Sequence, residues 1–174
     1  MKKKYLECGM VINKRGINGE LKVDCYCDSP EAIYGVKKLY GDKDGKIVYD
    51  VTNVKSYKGF LYIKLDNVKS VEDADGMRGK ILFVNRNDVS IPDGKYFISD
   101  LIELEVIDVD TKQCYGKITD VRNFGASDIY VVSDGKNEYM IPAVKDVISL
   151  VDLDKAVYVK PISGIFDEAE EIRS

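Results

Sequence analysis

The sequence predicts an all-β protein built from two small antiparallel β-barrels in tandem, with short helical turns between some strands. The length of 174 residues accommodates two small domains as readily as one medium domain. Short segments of alternating apolar and polar residues, separated by turn residues, recur through both halves of the chain. Such alternation is typical of sheets with one solvated face, whereas a parallel sheet would show continuous apolar runs between long helices.

The clearest strand of the first half covers residues 20–27. Before it lie an apolar run over residues 5–12 and a turn that contains Gly16 and Gly19. Apolar and polar residues then alternate strictly, as expected for a half-buried strand. The side chains predicted to share one face are Leu21, Val23, Cys25 and Cys27. Further strands of this half are predicted over residues 37–40, 46–54, 60–65 and 81–84.

Two short helical segments are predicted within the same half. Pro30 suits the first position of a helical turn, and the preceding Ser29 is able to cap its free amides. Ser70 and Asp73 resemble a capping box at the start of a second segment, which ends at Gly79.

The second half repeats the pattern of short strands. The Asp134-Gly135 pair between two of them predicts a hairpin, because glycine tolerates the positive φ of tight turns. The strands are predicted over residues 101–109, 115–121, 129–132, 138–141, 147–151 and 156–159. A polar segment broken by Pro92 predicts a linker. The expected division is a first barrel over residues 1–85, a linker over 86–94, a second barrel over 95–166 and an acidic tail over 167–174.

The two halves differ in the sign of their charge. Residues 1–90 contain 17 Lys and Arg against 13 Asp and Glu, a net charge of +4, whereas residues 91–174 contain 9 against 17, a net charge of −8. A basic half suits a phosphate backbone and an acidic half suits a basic protein, since each attracts its opposite. Two ordinary solvated surfaces are an equally simple interpretation.

Composition argues against most enzyme classes and against a membrane span. The chain contains no histidine, which excludes nucleophilic sites that use a histidine base. No Cys-x-x-Cys pair suggests a zinc site, and the cysteines are expected to pack as small apolar side chains. No apolar stretch approaches the roughly 20 residues of a membrane span, so we expect a soluble intracellular protein. No metal is predicted, because four turn aspartates lack calcium-loop spacing: Asp120, Asp128, Asp134 and Asp146.

Two segments are candidates for binding. Lys14, Arg15 and Gly16 lie at a strand end, where two cations and exposed amides could meet phosphate oxygens, although spacing alone favours a plain turn. Tyr96 and Phe97 are adjacent, so they cannot both face the core of one strand. One ring is therefore expected to be exposed, as an anchor for protein or RNA, or to pack between domains.

Taken in order, these segments resemble the family of the ribosome maturation factor RimM over nearly the whole chain. The motifs that carry the resemblance are Gly9-x-Val11-x-x-x-Arg15-Gly16-Ile17-x-Gly19-Glu20, residues 72–84, Tyr96-Phe97-x-x-Asp100-Leu101, Gly116-Lys117-Ile118, Gly125-Ala126-x-Asp128, Ile141-Pro142-Ala143 and Pro161-x-x-Gly164-Ile165. Each motif is weak alone, but the ordered set is specific.

The resemblance implies a barrel similar to those of translation factors, followed by a PRC-type barrel. It also implies binding to the free small (30S) ribosomal subunit near its head, contact with small-subunit ribosomal protein nineteen, and assistance to 16S rRNA processing. It implies no catalytic activity and no cofactor. Carried over to this chain, the family's aromatic pair falls on Tyr96 and Phe97, and its basic loop falls on Lys14, Arg15 and Gly16.

The chain departs from the family pattern within both candidate segments. The family usually has a second tyrosine at the position of Phe97, tryptophan and histidine at those of Ile98 and Ser99, and histidine at that of Arg15. Loss of a hydroxyl at Phe97 keeps an apolar anchor but removes a hydrogen bond.

Three functions follow as hypotheses. The leading one is an assembly chaperone, a monomer in the cytoplasm, whose acidic barrel holds a basic ribosomal protein while its basic barrel contacts rRNA. The alternative is a PRC-like adaptor that binds another protein and does not contact RNA. An rRNA-modifying enzyme or nuclease is disfavoured, because no nucleophile, metal cluster or cofactor loop is visible in the sequence.

Overall fold

The computed structural model describes residues 2–123, 127–160 and 170–171. The chain divides between Ser99 and Asp100 into two compact units. We call residues 3–99 the first unit and the residues that follow the second unit. Both are built mainly of short strands, so the predicted all-β class with two tandem domains is confirmed. Among the described helices, none is long and apolar enough to cross a membrane.

The first unit is a closed six-stranded barrel with the strand order β1-β2-β5-β4-β3-β6. Its strands are β1 (Tyr5–Arg15), β2 (Glu20–Cys25), β3 (Lys38–Tyr40), β4 (Val48–Tyr57), β5 (Phe60–Leu65) and β6 (Ile81–Asn85). Leu21 and Val23 of β2 are fully buried opposite Ile63 and Leu61 of β5, as the alternation predicts. Closure leaves the barrel without an unpaired edge strand.

A two-residue turn joins β4 to β5. Lys58 and Gly59 both have positive φ, at 50° and 83°. Two such residues form the turn whose twist matches that of the flanking strands, so Tyr57 and Phe60 pair directly across the hairpin.

The two predicted helical segments differ in how they begin. The first is a 3-10 turn, Pro30–Ile33, and Ser29 does not cap it. The Ser29 hydroxyl instead donates to the Glu31 carboxylate at 3.2 Å. The second is helix α1 (Val71–Met77), where the Ser70 hydroxyl accepts the Asp73 N–H at 3.1 Å as predicted.

The segment predicted as a linker, 86–94, belongs to the first unit. It begins with a 3-10 turn, Arg86–Asp88, and the side chains of Val89 and Ile91 pack against the first core. Residues 95–99, predicted to open the second barrel, also belong to the first unit. Apolar side chains inside a polar segment explain the difference, because they hold the segment to the barrel that precedes it.

The second unit is a seven-stranded sheet with the order β11-β12-β7-β8-β9-β10-β13. Helix α2 (Ile98–Leu101) precedes it, where a strand was predicted to begin at residue 101. The strands are β7 (Glu105–Asp108), β8 (Cys114–Asn123), β9 (Asp128–Ser133), β10 (Asn137–Pro142), β11 (Ile148–Asp152), β12 (Ala156–Val159) and β13 (Glu170–Glu171).

One strand pair of the second unit is parallel, which the sequence did not predict. Strand β12 lies parallel to β7, with Val157 opposite Val106. Parallel partners need a long connection, and β8 to β11 supply it. The predicted hairpin at residues 134–135 does connect two antiparallel strands, β9 and β10.

All four cysteines are free thiols. Cys8 and Cys27 are buried and Cys25 is half-buried, as expected for small apolar side chains, whereas Cys114 is exposed. Burial raises the pKa of the Cys25 thiol to about 11 and that of Cys27 to about 12. The buried thiols therefore remain protonated at neutral pH and serve as packing groups.

Candidate functional site

The basic loop of Lys14, Arg15 and Gly16 continues into the turn between β1 and β2, so in the structure it is defined as residues 14–19, and the barrel fixes its position. Gly19 has a φ of 82°, and a Cβ at this position would overlap the Val68 carbonyl oxygen. The Lys64 ammonium donates to that same carbonyl at 2.8 Å and also to the Asn18 carbonyl. The loop is therefore a fixed platform rather than a free connection.

Lys14 and Arg15, which the sequence assigned to RNA contact, both have acidic neighbours. The Lys14 ammonium donates to both carboxylate oxygens of Asp75 in α1, at 3.0 and 3.1 Å. The Arg15 Nε lies 3.7 Å from a carboxylate oxygen of Glu20, and its guanidinium carbon lies 4.5 Å from the centre of the Tyr62 ring. Arg15 nevertheless keeps 52% of its side chain exposed. It is the better placed of the two cations to meet a ligand, and phosphate contact stays a prediction.

Phe97 and Tyr96, the second candidate pair, have opposite environments. Phe97 is 0% exposed within the core of the first unit and forms a backbone bridge with Cys27. The Tyr96 ring is half-buried, and its backbone is fixed by Asp28, whose N–H donates to the Tyr96 carbonyl at 3.1 Å. The Asp28 carboxylate accepts the Tyr96 N–H at 3.0 Å. Of the pair, Tyr96 alone presents its ring at the surface.

The surroundings of Tyr96 are acidic. Partial burial raises the pKa of the Tyr96 phenol, and the negative charges of Asp93 and Asp28 raise it further. Burial and nearby carboxylates act in the same direction on the pKa of Tyr26, a neighbour of Asp28 in the chain. The Tyr96 phenol is therefore a neutral donor at physiological pH in a field that attracts cations.

The structure also brings together a surface that sequence reasoning missed. On the outer side of β2, β5 and β4, cations and aromatic rings lie close together on neighbouring strands. We call this surface the cation–aromatic face, and it comprises Lys22, Lys55, Tyr57, Lys58, Phe60 and Tyr62. The abundance of tyrosine and lysine was the available signal, but it does not say which residues become neighbours.

Ile17, at the tip of the basic loop, is a second residue that was missed. Its side chain is 78% exposed, although isoleucine is usually buried. The signal was an aliphatic residue placed between the two loop glycines.

Asp134, one of the four aspartates considered as metal ligands, binds the backbone of its own turn. The Asp134 carboxylate accepts the N–H groups of Asn137 and Lys136 at 2.7 and 2.8 Å, which lowers its pKa. Within the described residues, no group of three or more potential ligands is placed to hold a metal ion. The motifs over Gly125-Ala126 and residues 161–165 lie outside the described residues, as does most of the 167–174 tail.

Comparison with known protein families identifies two domains in the chain. The model of the RimM N-terminal domain matches residues 6–89, and that of the RimM PRC barrel domain matches residues 98–165. Both domains implied by the sequence motifs are therefore present in the expected order.

Two relatives that are more than 30% identical in sequence agree with the domain matches. The ribosome maturation factor RimM of Ruminiclostridium cellulolyticum is 39% identical over 87% of this chain and 90% of its own. The RimM of Clostridium botulinum strain ATCC 19397 is 36% identical over 92% of this chain and 96% of its own. A crystal structure of a 16S ribosomal RNA processing protein RimM from Pseudomonas aeruginosa is 23% identical and covers 91% of this chain and 98% of its own, with a TM-score of 0.44. The chain belongs to the RimM family of ribosome maturation factors.

Proposed function

We propose that this protein binds the free or immature small ribosomal subunit near its head and assists its maturation and 16S rRNA processing. The observation that carries the proposal is the ordered match to both RimM domains, over residues 6–89 and 98–165. The protein acts as a cytoplasmic monomer and by binding alone, without catalysis or a cofactor.

Contact with 16S rRNA is assigned to the first unit. Residues 1–90 carry a net charge of +4, which attracts phosphate. In the basic loop, the half-exposed Arg15 guanidinium and the exposed backbone of Gly16 are the groups offered to the RNA. Lys14 contributes less direct contact, because Asp75 already binds its ammonium.

Contact with small-subunit ribosomal protein nineteen is assigned to the aromatic pair and to acidic surface. The Tyr96 ring supplies apolar area and a hydroxyl donor, while Asp28 and Asp93 provide the negative field that suits a basic ribosomal protein. Phe97 acts indirectly, since its buried ring fixes the backbone that carries Tyr96.

This division of contacts explains how binding alone could assist assembly. Long-range charge increases the encounter rate, and a well-packed aromatic contact supplies affinity. A factor that contacts RNA and protein together stabilises the head arrangements in which both are correctly placed, and so shifts the population toward them.

Co-sedimentation of the purified full-length protein with free small subunits, large subunits and intact ribosomes tests the proposal. We expect selective binding to free small subunits that weakens as salt increases. Tyr96→Ala is expected to weaken binding about tenfold, as is typical of an aromatic anchor. Tyr34→Ala is the matched control, because Tyr34 is another partly exposed tyrosine of the first unit.

Two outcomes would contradict the proposal. No binding to small subunits at low salt would favour the adaptor that does not contact RNA, while family membership would be unaffected. Processing of precursor rRNA by the purified protein alone would contradict action by binding only.

A further inference from the structure

The cation–aromatic face is ordered by strand pairing rather than by nearness in the chain. Strand register places Tyr62 of β5 between Lys22 of β2 and Lys55 of β4. In the neighbouring row, Phe60 lies opposite Tyr57. One row of the barrel wall thus combines two cations with an aromatic ring, and the adjacent row places two aromatic rings beside Asp24.

The rings are available at the surface to different extents. Tyr57, beside the tight turn, is 60% exposed, and Phe60 is partly exposed. Tyr62 is buried beneath the guanidinium of Arg15. Two neighbouring rings with exposed area on a rigid hairpin form a stacking platform, because little conformational entropy remains to be lost.

Cations cover these rings in the free protein. The Lys22 ammonium lies 4.1 Å from the centre of the Phe60 ring, and the Lys58 ammonium lies 5.3 Å from that of Tyr57. Neither lysine forms an ion pair with a carboxylate of the described residues. Both side chains are flexible, so they can leave the rings without breaking a salt bridge.

The carboxylates nearby do not remove the positive charge of this face. Glu20 lies between two cations, 3.7 Å from Arg15 and 3.6 Å from Lys55. Asp24, which is exposed opposite Phe60, is the carboxylate of this face that repels an anionic ligand. The face therefore suits a ligand that offers both a flat ring and a negative charge.

We propose that the cation–aromatic face binds an unpaired RNA segment. A base stacks on Tyr57 and Phe60, and Lys22 and Lys58 move from the rings to the flanking phosphates. A paired RNA helix offers its phosphates but keeps its bases stacked inside, and an acidic protein segment offers charge without a base. The proposal deepens the rRNA contact proposed above and rests on it for the identity of the RNA, an unpaired stretch of 16S rRNA.

Fluorescence anisotropy of the full-length protein with a labelled oligouridylate of about twelve nucleotides tests the inference. We expect Tyr57→Thr to bind about tenfold more weakly than the natural protein, because one stacking contact is lost. Threonine keeps the β-strand preference of the position, and Tyr57→Phe keeps the ring and is expected to bind normally. An abasic oligonucleotide of the same length keeps the phosphates but has no bases. Its affinity for the natural protein should be about as low as the affinity of Tyr57→Thr for oligouridylate.

A matched pair of lysine variants tests the charge on the face. Lys22→Gln with Lys58→Gln is expected to lower affinity and to reduce the dependence of binding on salt. Lys37→Gln with Lys38→Gln removes the same charge at and beside β3, where both lysines are exposed, and is expected to have a smaller effect.

The outcomes separate this inference from the proposed function. Equal binding of the abasic and natural oligonucleotides, unchanged binding by Tyr57→Thr, or no binding of oligouridylate would each overturn the stacking face, even if small subunits are still bound. If the protein ignores small subunits but binds oligouridylate through Tyr57, the proposed function fails and the RNA-stacking face stands.

Discussion

The two units use the same short-strand pattern for surfaces of different chemistry. In the first unit, strand register gathers lysines and aromatic rings on β2, β5 and β4. Aspartates close turns in both units by accepting backbone N–H groups, as at Asp42 and Asp108, so the units differ in net charge rather than in turn chemistry. The half of the sequence that contains the second unit carries most of the negative charge. Similar strand patterns can therefore support contacts with different kinds of partner.

The aromatic pair shows that chain position alone does not decide which unit a residue stabilises. Phe97 follows the polar segment 86–94, after which the sequence predicts that the second domain begins. Its ring nevertheless lies in the core of the first unit. Hydrogen bonds between the backbones of residues 26–28 and 96–98 fasten it there. The polar segment therefore returns the chain to the first barrel before the second unit starts.

The assignment of Phe97 to the first core predicts the largest effect on stability. Phe97→Ala should destabilise the first unit by about 3–5 kcal/mol, because it removes a fully buried aromatic ring and leaves a cavity. Hydrogen exchange measured by mass spectrometry should show faster exchange in peptides of residues 3–99 than in the natural protein. Tyr96→Ala, at the half-buried neighbour, should cost about 1 kcal/mol or less. Loss of protection confined to the second unit would contradict the assignment.

A smaller effect is expected at the basic loop of the first unit. Gly19→Ala should destabilise the protein by about 2 kcal/mol, because its φ is positive and a Cβ would overlap the Val68 carbonyl. Gly16→Ala should cost about 1 kcal/mol, since its φ is also positive but its Cβ would meet open space. Urea denaturation of both variants measures the difference. Equal costs would show that the loop does not rest on Val68.

The smallest effect concerns acid stability of the second unit. The Asp108 carboxylate accepts the Thr111 N–H at 3.0 Å and the Tyr115 hydroxyl at 2.7 Å, and these bonds lower its pKa. Because the pKa of Asp108 is lower in the folded state than its unfolded value of about 3.9, the ionised carboxylate stabilises the fold at pH values above the unfolded pKa. This contribution is lost as the pH falls through the folded pKa.

Substitution of Asp108 measures its contribution to the pH dependence of stability. Asp108→Asn should reduce the difference in urea stability between neutral and acidic solution, because the group no longer gains a proton. The exposed Asp110→Asn is the matched control. An unchanged acid dependence in Asp108→Asn would assign the loss of stability to other groups.

Local sequence patterns predicted much of the fold. Alternation located β2, the spacing of Ser70 and Asp73 located the start of α1, and a glycine-containing turn located the β9–β10 hairpin. The parallel pairing of β12 with β7 was not predictable in this way, because the partners are separated by four intervening strands.

The candidate site was predicted in part. Motif order identified the family and drew attention to Arg15 and Tyr96. The local sequence could not show that Phe97 is buried or that Asp75 binds Lys14, because both depend on tertiary contacts. The cation–aromatic face depends on the register of β2 against β5 and of β5 against β4. Such register is a property of the whole barrel rather than of any one segment.

Photo-cross-linking from position 57 tests the central claim most directly, namely that the first unit contacts RNA on the small subunit. Tyr57 is replaced by a photoreactive phenylalanine derivative, and the full-length protein is irradiated on free small subunits. The same derivative at Met140, an exposed residue of β10 in the second unit, is the matched control. We predict a nuclease-sensitive cross-link to 16S rRNA from position 57 and none from position 140. Cross-links from position 57 to ribosomal proteins alone, or none from a protein that sediments with the subunits, would contradict the account.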